Sequence, residues 1–194
     1  LFSLLLILSC ENKKRYDKSF TPFQKEMNEF FKDASISPLK EKDLKNFKGL
    51  DFFAFDSSYV VNAALIRTPE EKSFKMKTTT DRLPEYIKYG IVTFDLFGKS
   101  YSLNIYRNLD IINKEGYEDY LFLPFLDDTN GFESYGGGRY IDLDIPKGDN
   151  LVIDFNSAYN PYCTYDEKYS CPIVPRDNYL SIKINVGVKA FAKN

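Results

Sequence analysis

Apolar side chains recur at every second position through most of the chain from Leu50 onward. The alternation runs through short segments separated by turn formers, at 50–55, 59–66, 73–78, 89–106, 120–125, 139–145, 151–155 and 178–186. A period of two predicts a mostly antiparallel sheet with one buried face. No strand–helix–strand rhythm appears, which disfavours a doubly wound nucleotide fold. We therefore predict a mainly β fold, at the margin of α+β, closed as a single antiparallel β-sandwich or partly open barrel with one N-terminal helix.

That helix is predicted over residues 20–34. Thr21 is a suitable N-cap because Gln24 follows three residues later, as in a capping box, and Pro22 is tolerated at the first helical position. Four apolar side chains form one stripe at helical spacing, Phe23, Met27, Phe30 and Phe31. We expect this stripe to face the core or to dock the helix on the domain. A loop with at most a short turn of helix is expected over 35–50.

Length and composition restrict the function. A chain of 194 residues suits one domain with a tail. Its 26 lysines and arginines against 28 aspartates and glutamates give a net charge of -2, so nucleic acid is not a predicted partner. The chain contains no histidine, which excludes serine–histidine and cysteine–histidine nucleophiles and histidine-ligated zinc. We predict no metal and no cofactor.

The first ten residues, LFSLLLILSC, predict that the protein is located outside the cytoplasm. This apolar run is too short to span a bilayer but has the length of the apolar core of a signal peptide. It ends in ILSC at 7–10, which resembles a bacterial lipobox, where the cysteine is acylated and the chain is cut before it. We therefore expect a signal-peptide remnant at 1–9, a lipidated polar tether at 10–19 and one globular domain at 20–194.

On this interpretation the protein is a membrane-anchored lipoprotein of the bacterial cell envelope, on the extracytoplasmic side. Its partner is the lipid bilayer, which a fatty chain such as palmitate on Cys10 would enter. The alternatives are an ordinary cleaved signal peptide and a buried apolar start.

The two remaining cysteines, Cys163 and Cys171, lie eight positions apart. An even pair in an extracytoplasmic protein is expected to form a disulfide. The alternative is two free buried thiols.

Two blocks in the second half of the chain resemble a known family. They read YLFLPFLDDTNGFESYGGGRYIDLDI and DFNSAYNPYCTYDEKYSCPIVPRDN. Both are similar to a widespread bacterial family of domains of unknown function, DUF1684, whose pattern they match at 120–125, Asp127, 129–131, 135–140, 154–156, 158–161, Cys163, Cys171 and Pro172. The resemblance is close here and looser from about Ser37. Because the family has no settled activity, it implies a shared fold and gives no mechanism.

The chain departs from the family pattern at three positions. Val174 stands where a second proline is expected, and Asp128 where a small residue is more usual. Val188 stands where the closing segment usually has a glutamate, so any role of that glutamate cannot be transferred to this chain.

Polar residues are concentrated between the predicted strands of the two blocks, where function tends to lie on a rigid scaffold. We predict a ligand-binding site lined by Asp127, Arg139, Asp154, Asn156, Tyr159 and Asn160. These aspartates and asparagines, with Asp128 and Asn130, also offer hard oxygen ligands, but their spacing does not fit a calcium loop. The structural alternative is that they close turns through hydrogen bonds to the backbone.

The glycine run at 136–138 allows two interpretations. Successive backbone N–H groups with Arg139 beside them can hold an anion, but the segment that follows is strand-like, whereas phosphate loops precede a helix. The alternative is a tight bend, with Arg139 paired to Asp154 or Asp142.

Five tyrosines accompany these residues, Tyr135, Tyr140, Tyr159, Tyr162 and Tyr165. Such rings can stack on a sugar or another polar ring, but each also suits the rim of a sheet. The leading hypothesis is therefore an anchored domain that binds a polar small molecule or glycan. The alternatives are a hydrolase using Asp127 and Asp154 as general base and acid, and a scaffold of the envelope without a small ligand.

Overall fold

The computed structural model describes residues 20–192. It contains one long helix, α1 (Pro22–Lys32), a single-turn helix, α2 (Glu41–Leu44), and the strands β1 (Val60–Arg67), β2 (Phe74–Lys75), β3 (Glu85–Leu96), β4 (Lys99–Asn108), β5 (Tyr120–Asp127), β6 (Arg139–Asp144), β7 (Asn150–Asp154) and β8 (Tyr179–Leu180). The predicted signal remnant, the tether and Cys10 lie outside the described residues.

The strands form one curled, half-barrel sheet, which confirms the partly open barrel and gives no second layer of a sandwich within residues 20–192. Six strands pair in the order β6-β5-β4-β3-β1-β7, while β2 pairs with β3 and β8 with β5. Every pairing is antiparallel except that of β5 with β8. The concave closure follows from the twist that accumulates across neighbouring strands.

Helix α1 begins and is stabilised as the sequence predicts. The Thr21 hydroxyl accepts from the Gln24 N–H, and the Gln24 side chain accepts from the Thr21 N–H, both at 3.2 Å. Phe31 is fully buried in a cluster with Leu39 and Tyr165. The remaining stripe residues are partly buried against the same cluster, so the stripe docks the helix on the domain.

Strands β3 and β4 form a long hairpin that contains the alternating segment 89–106. Its turn lies at Phe97 and Gly98, and both have positive φ, of 49° and 76°. A two-residue turn of this kind matches the right-handed twist of the strands it joins.

Three predicted strands were wrong in extent. Residues 50–55 form a single bridge, Phe52 to Val188, and residues 178–186 form only the two-residue strand β8. Ile184 and Val186 are fully buried, as the alternation predicts, but their carbonyls accept from the Arg139 guanidinium instead of a neighbouring strand. The alternation of apolar residues therefore predicted correctly which side chains are buried, but the strand pairing that it predicted for these residues is wrong. The predicted strand at 73–78 is likewise reduced to β2.

The sheet is buried on both faces at one end, whereas the sequence predicted one buried face. The concave face holds the main core, built from β1, β3, β4, β5, β6 and β7. A second cluster covers the other face and contains Met76, Tyr86, Tyr106, Phe122, Tyr140 and Val174. The segment 159–174 crosses this second face, and a pocket lies beneath it.

Candidate functional site

Asp127 and Arg139, both predicted as ligand-binding residues, form a fully buried ion pair. Arg139 Nη2 lies 2.8 Å from Asp127 Oδ2 and also donates to the Ile184 carbonyl at 2.7 Å. Asp127 Oδ1 accepts from the N–H groups of Thr129 and Ile184 at 2.8 and 3.2 Å. Burial lowers the pKa of Arg139, and the Asp127 carboxylate opposes that shift. The predicted pairing of Arg139 with Asp154 or Asp142 was therefore wrong.

This ion pair joins the end of β5, the start of β6 and the C-terminal segment. Neither side chain is accessible to solvent. Apart from Arg139 Nε, which has no hydrogen-bond partner among the described residues, the polar atoms of this buried pair are engaged within the protein, so we assign it a structural role.

The glycine run is a tight bend. The Gly138 N–H donates to the Tyr135 carbonyl at 3.1 Å, and Gly138 has a φ of +88°. A Cβ at Gly138 would lie 2.6 Å from the Phe125 carbonyl oxygen, which a side chain cannot tolerate. The bend thus brings Arg139 against the end of β5, as the structural alternative predicted.

Asp154 and Asn156 lie in a different place, at the end of β7. Asp154 Oδ1 caps the turn that follows by accepting from the Asn156 N–H at 2.9 Å. Asn156 exchanges two hydrogen bonds with the Asp56 backbone, at 2.9 and 3.0 Å. Asp127 and Asp154 share no hydrogen-bond partner, and they line different hollows of the surface.

Asn160 is fully buried and donates to the Lys189 carbonyl at 2.8 Å.

Of the six predicted site residues, Tyr159 alone lines the pocket on the second face of the sheet. We call this cavity the tyrosine pocket, with the lining residues Tyr86, Asn108, Tyr117, Tyr120, Phe122, Tyr140, Asp142, Tyr159, Tyr162, Ser170 and Cys171, together with Ile111, Pro161 and Pro172. Its volume of about 300 Å³ is at the lower end of the range for small-molecule sites.

Strand register explains the floor of the tyrosine pocket. Phe122 of β5 lies opposite Asp142 of β6, and Tyr86 of β3 opposite Asn108 of β4. Because alternate side chains share a face, Tyr120 and Phe122 point to the same side of β5, and Tyr140 and Asp142 to the same side of β6. The floor is thus made of side chains that point away from the main core.

The covering segment is fixed at both of its ends. Tyr140 and Tyr159 exchange backbone hydrogen bonds of 2.9 and 3.0 Å, and the Tyr140 hydroxyl donates to the Pro172 carbonyl. Beyond Pro172, the Ile173 N–H donates to the Lys77 carbonyl at 2.8 Å. These bonds therefore tie the covering segment to the sheet on both sides of the pocket.

Asp142 is the one charged side chain in the lining of the tyrosine pocket. Its Oδ1 accepts from the Tyr120 and Tyr159 hydroxyls, each at 2.8 Å. Burial raises the pKa of Asp142, and the two hydroxyl donors partly oppose this shift. Much of the side-chain surface is nevertheless accessible, because it faces the hollow of the pocket. The carboxylate is surrounded by protein yet open to a ligand.

Burial also raises the pKa of Tyr159 well above its ordinary value, with the Asp142 charge as the next cause. Tyr159 and Tyr120 therefore remain protonated donors at neutral pH. They hold the carboxylate in one orientation.

The rings around Asp142 meet mostly edge to face. Tyr117 and Tyr120 have centroids 5.6 Å apart at 74°, and Phe122 and Tyr140 4.7 Å apart at 76°. Tyr140 and Tyr159 stand at 88°. Neighbouring rings at near right angles present faces in more than one direction.

The predicted disulfide is not present, and Cys163 and Cys171 are free thiols. Cys171 Sγ instead accepts from the Cys163 N–H at 3.1 Å. A hydrogen bond from the Cys171 thiol lowers the pKa of Cys163 to about 6. The same contact raises the pKa of Cys171.

A larger hollow of about 670 Å³ lies between 43–51 and 190–192, and Lys45, Asn46 and Lys48 on its wall are exposed. Within residues 20–192, no three potential metal-ligating acids or cysteines come together. No helix in that range has the length and apolar character required to cross a membrane.

Comparison with known proteins assigns the chain to a family. The family model described as Protein of unknown function (DUF1684) matches residues 45–189. The chain belongs to the DUF1684 family. The resemblance predicted from the two sequence blocks is thereby confirmed.

A solved structure shares the fold of this DUF1684 domain. It is the solution NMR structure of an uncharacterized protein of Haloarcula marismortui, with 34% sequence identity and a TM-score of 0.67. The alignment covers 86% of this chain and 89% of that chain. No curated protein matches the chain.

The DUF1684 match contains all eight strands and every residue of the tyrosine pocket, whereas α1 lies outside it. The pocket thus lies wholly within the matched region. Sequence reasoning had noted Tyr140, Tyr159 and Tyr162 as stacking candidates but gave Asp142 no role in binding. The available signal was β5, where YLFLPF is apolar at every position and therefore covered on both faces.

Proposed function

We propose that this DUF1684 domain binds a polar small molecule in the tyrosine pocket, on a protein that a lipid on Cys10 anchors at the extracytoplasmic side of the membrane. The observation that carries the proposal is the Asp142 carboxylate, which two tyrosine hydroxyls orient within a cavity. A convergent polar group in a ring-lined hollow is the usual construction of a small-molecule site.

The contacts of Asp142 support binding more than stability. Asp127 connects three distant parts of the chain, but Asp142 bonds only to two side chains of the same pocket. Its pKa is raised by burial, so the native fold disfavours the ionised form. Charged groups whose presence lowers the stability of the native fold are concentrated at functional sites.

The anchor is supported by the sequence that precedes the domain. The chain from Cys10 to Phe20, which includes ENKKRYDKS, is polar and reaches at most about 35 Å when extended. A tether of this length would hold the domain close to a membrane and leave its pocket accessible.

Ligand-observed and protein NMR test the binding. We would titrate the domain with benzylamine, benzyl alcohol and methyl β-glucoside, and follow the tyrosine ring signals. At least one probe should shift the signals of the pocket tyrosines. Ile111→Trp, which places a large ring in the pocket lining, should abolish that shift, whereas Ile112→Trp on the neighbouring residue outside the lining should not. If no probe shifts a pocket ring, the binding function is wrong.

Metabolic labelling tests the anchor. The full-length protein, expressed in a bacterial host with an alkyne analogue of palmitate, should incorporate the label and partition into detergent. Cys10→Ser should lose both properties. Label incorporation that persists in Cys10→Ser would contradict lipidation at this residue.

A further inference from the structure

We infer that the ligand of the tyrosine pocket is an organic cation, whose amine or quaternary ammonium group is held between the Asp142 carboxylate and the surrounding rings. This inference rests on the proposed function, because it names the ligand class for the same pocket. It is carried by the charge of the pocket and by the arrangement of its rings.

The first argument is an incomplete ion pair. Both hydroxyl donors reach Asp142 Oδ1, and Oδ2 has no hydrogen-bond partner among the described residues. No lysine or arginine within residues 20–192 forms an ion pair with Asp142. Asp142 is accessible from the pocket, and a carboxylate oxygen forms stronger hydrogen bonds with a cationic donor than with a neutral one. The counter-charge missing at Asp142 is positive, and a cationic ligand would supply it.

The basic residue at the edge of the pocket is engaged elsewhere. Arg82 donates to the Ser170 hydroxyl at 3.0 Å and to the Ser170 carbonyl at 2.9 Å. These bonds direct its guanidinium to the covering segment, so it does not neutralise Asp142.

The second argument is the aromatic lining. Seven of the lining side chains are aromatic, and their pairs meet at interplanar angles of 49–88°. The face of an aromatic ring carries negative potential and attracts ammonium groups, most strongly where water is displaced. The carboxylate and the rings around the hollow therefore both attract a cation.

The lining disfavours the other ligand classes. It contains no lysine or arginine, so an anion would meet the Asp142 charge without a compensating group. A neutral sugar can donate a hydroxyl to Oδ2, but it leaves the carboxylate without a counter-charge in a partly dehydrated cavity.

Matched probe pairs test the inference by isothermal titration calorimetry. Benzylamine and choline are cations at neutral pH, and benzyl alcohol and 3,3-dimethylbutan-1-ol are their neutral counterparts of similar size. Each cation should bind about tenfold or more tightly than its neutral counterpart, the discrimination expected of one charge contact and ring contacts. Asp142→Asn should reduce the affinity for both cations to that of the alcohols.

Asp154→Asn is the matched control, because it changes a carboxylate outside the tyrosine pocket and keeps the oxygen that caps the turn. It should leave all four affinities unchanged. If cations and alcohols bind equally and Asp142→Asn has no effect, the inference of a cationic ligand is wrong. The proposed binding of a small molecule is then still supported. If none of the four probes binds, both the inference and the proposed function are wrong.

Discussion

Asp127 and Asp142 lie on the same pair of strands, β5 and β6, and protein surrounds both of them. Asp127 accepts three hydrogen bonds, one of them from a buried arginine. Asp142 accepts two from tyrosine hydroxyls, at one of its oxygens, and faces a cavity with the other. The same chemical group is thus fully satisfied at one end of the strand pair and incompletely satisfied at the other.

The difference separates residues that hold the domain together from residues available to a ligand. Sequence chemistry alone favours Asp127 and Arg139 as a site, because charged residues beside a glycine run suggest binding. In the structure their bonds are used within the protein. A carboxylate near a sheet becomes a binding group when its partners leave an oxygen free in an accessible cavity.

The largest expected effect is the loss of the buried ion pair. Asp127→Asn places an amide N–H against the Arg139 guanidinium and leaves that charge unpaired. We expect the free energy of unfolding to fall by about 3–5 kcal/mol, measured by urea denaturation. A loss below about 1 kcal/mol would contradict the structural role of this pair.

A smaller loss of stability is expected at the bend that positions Arg139. Gly138→Ala forces a side chain into positive φ and against the Phe125 carbonyl oxygen. The free energy of unfolding should fall by about 1–3 kcal/mol. Gly136→Ala is the control within the same run, because its Cβ would come no closer than 3.6 Å to its neighbours. Equal effects of the two substitutions would show that the bend does not depend on Gly138.

Asp142→Asn should leave the domain at least as stable as the wild type at neutral pH. The raised pKa means that the native state holds the Asp142 proton more tightly than the unfolded chain. That contribution favours the native state at low pH and is lost as the pH rises through the raised native pKa. The amide carries no charge and can still accept from a tyrosine hydroxyl. A marked destabilisation in urea at pH 7, similar to that of Asp127→Asn, would remove the contrast between the two carboxylates.

Much of the fold could be predicted because it is encoded locally. The capping box placed the start of α1, alternating apolar residues located β1, β3, β4, β6 and β7, and the apolar run YLFLPF located β5. The extent of the segments at 50–55 and 178–186 could not be predicted the same way. Alternation specifies which side chains face the core, but the partner of the backbone depends on parts of the chain that are distant in sequence.

The candidate site was harder to predict for the same reason. Asp142 belongs to the strand sequence RYIDLDI, in which an aspartate alternating with apolar residues indicates a solvent-facing position. The segment 159–172 covers that face and turns it into a pocket. Tyr159 was predicted because it is one of several tyrosines near turns, whereas the role of Asp142 depends on two hydroxyls brought there by the fold.

NMR titration of the Asp142 side-chain carboxyl carbon, with and without benzylamine, tests the central claim most directly. The groups that face this carboxylate are Tyr120 and Tyr159, which donate to it, and Asp144, whose charge raises its pKa. In the free domain the pKa of Asp142 should lie above the ordinary value of about 3.9, and it should fall when the amine binds, because a cation favours the ionised form. A pKa at or below the ordinary value that does not change with benzylamine would contradict the account of Asp142 as an unpaired carboxylate that binds a cationic ligand.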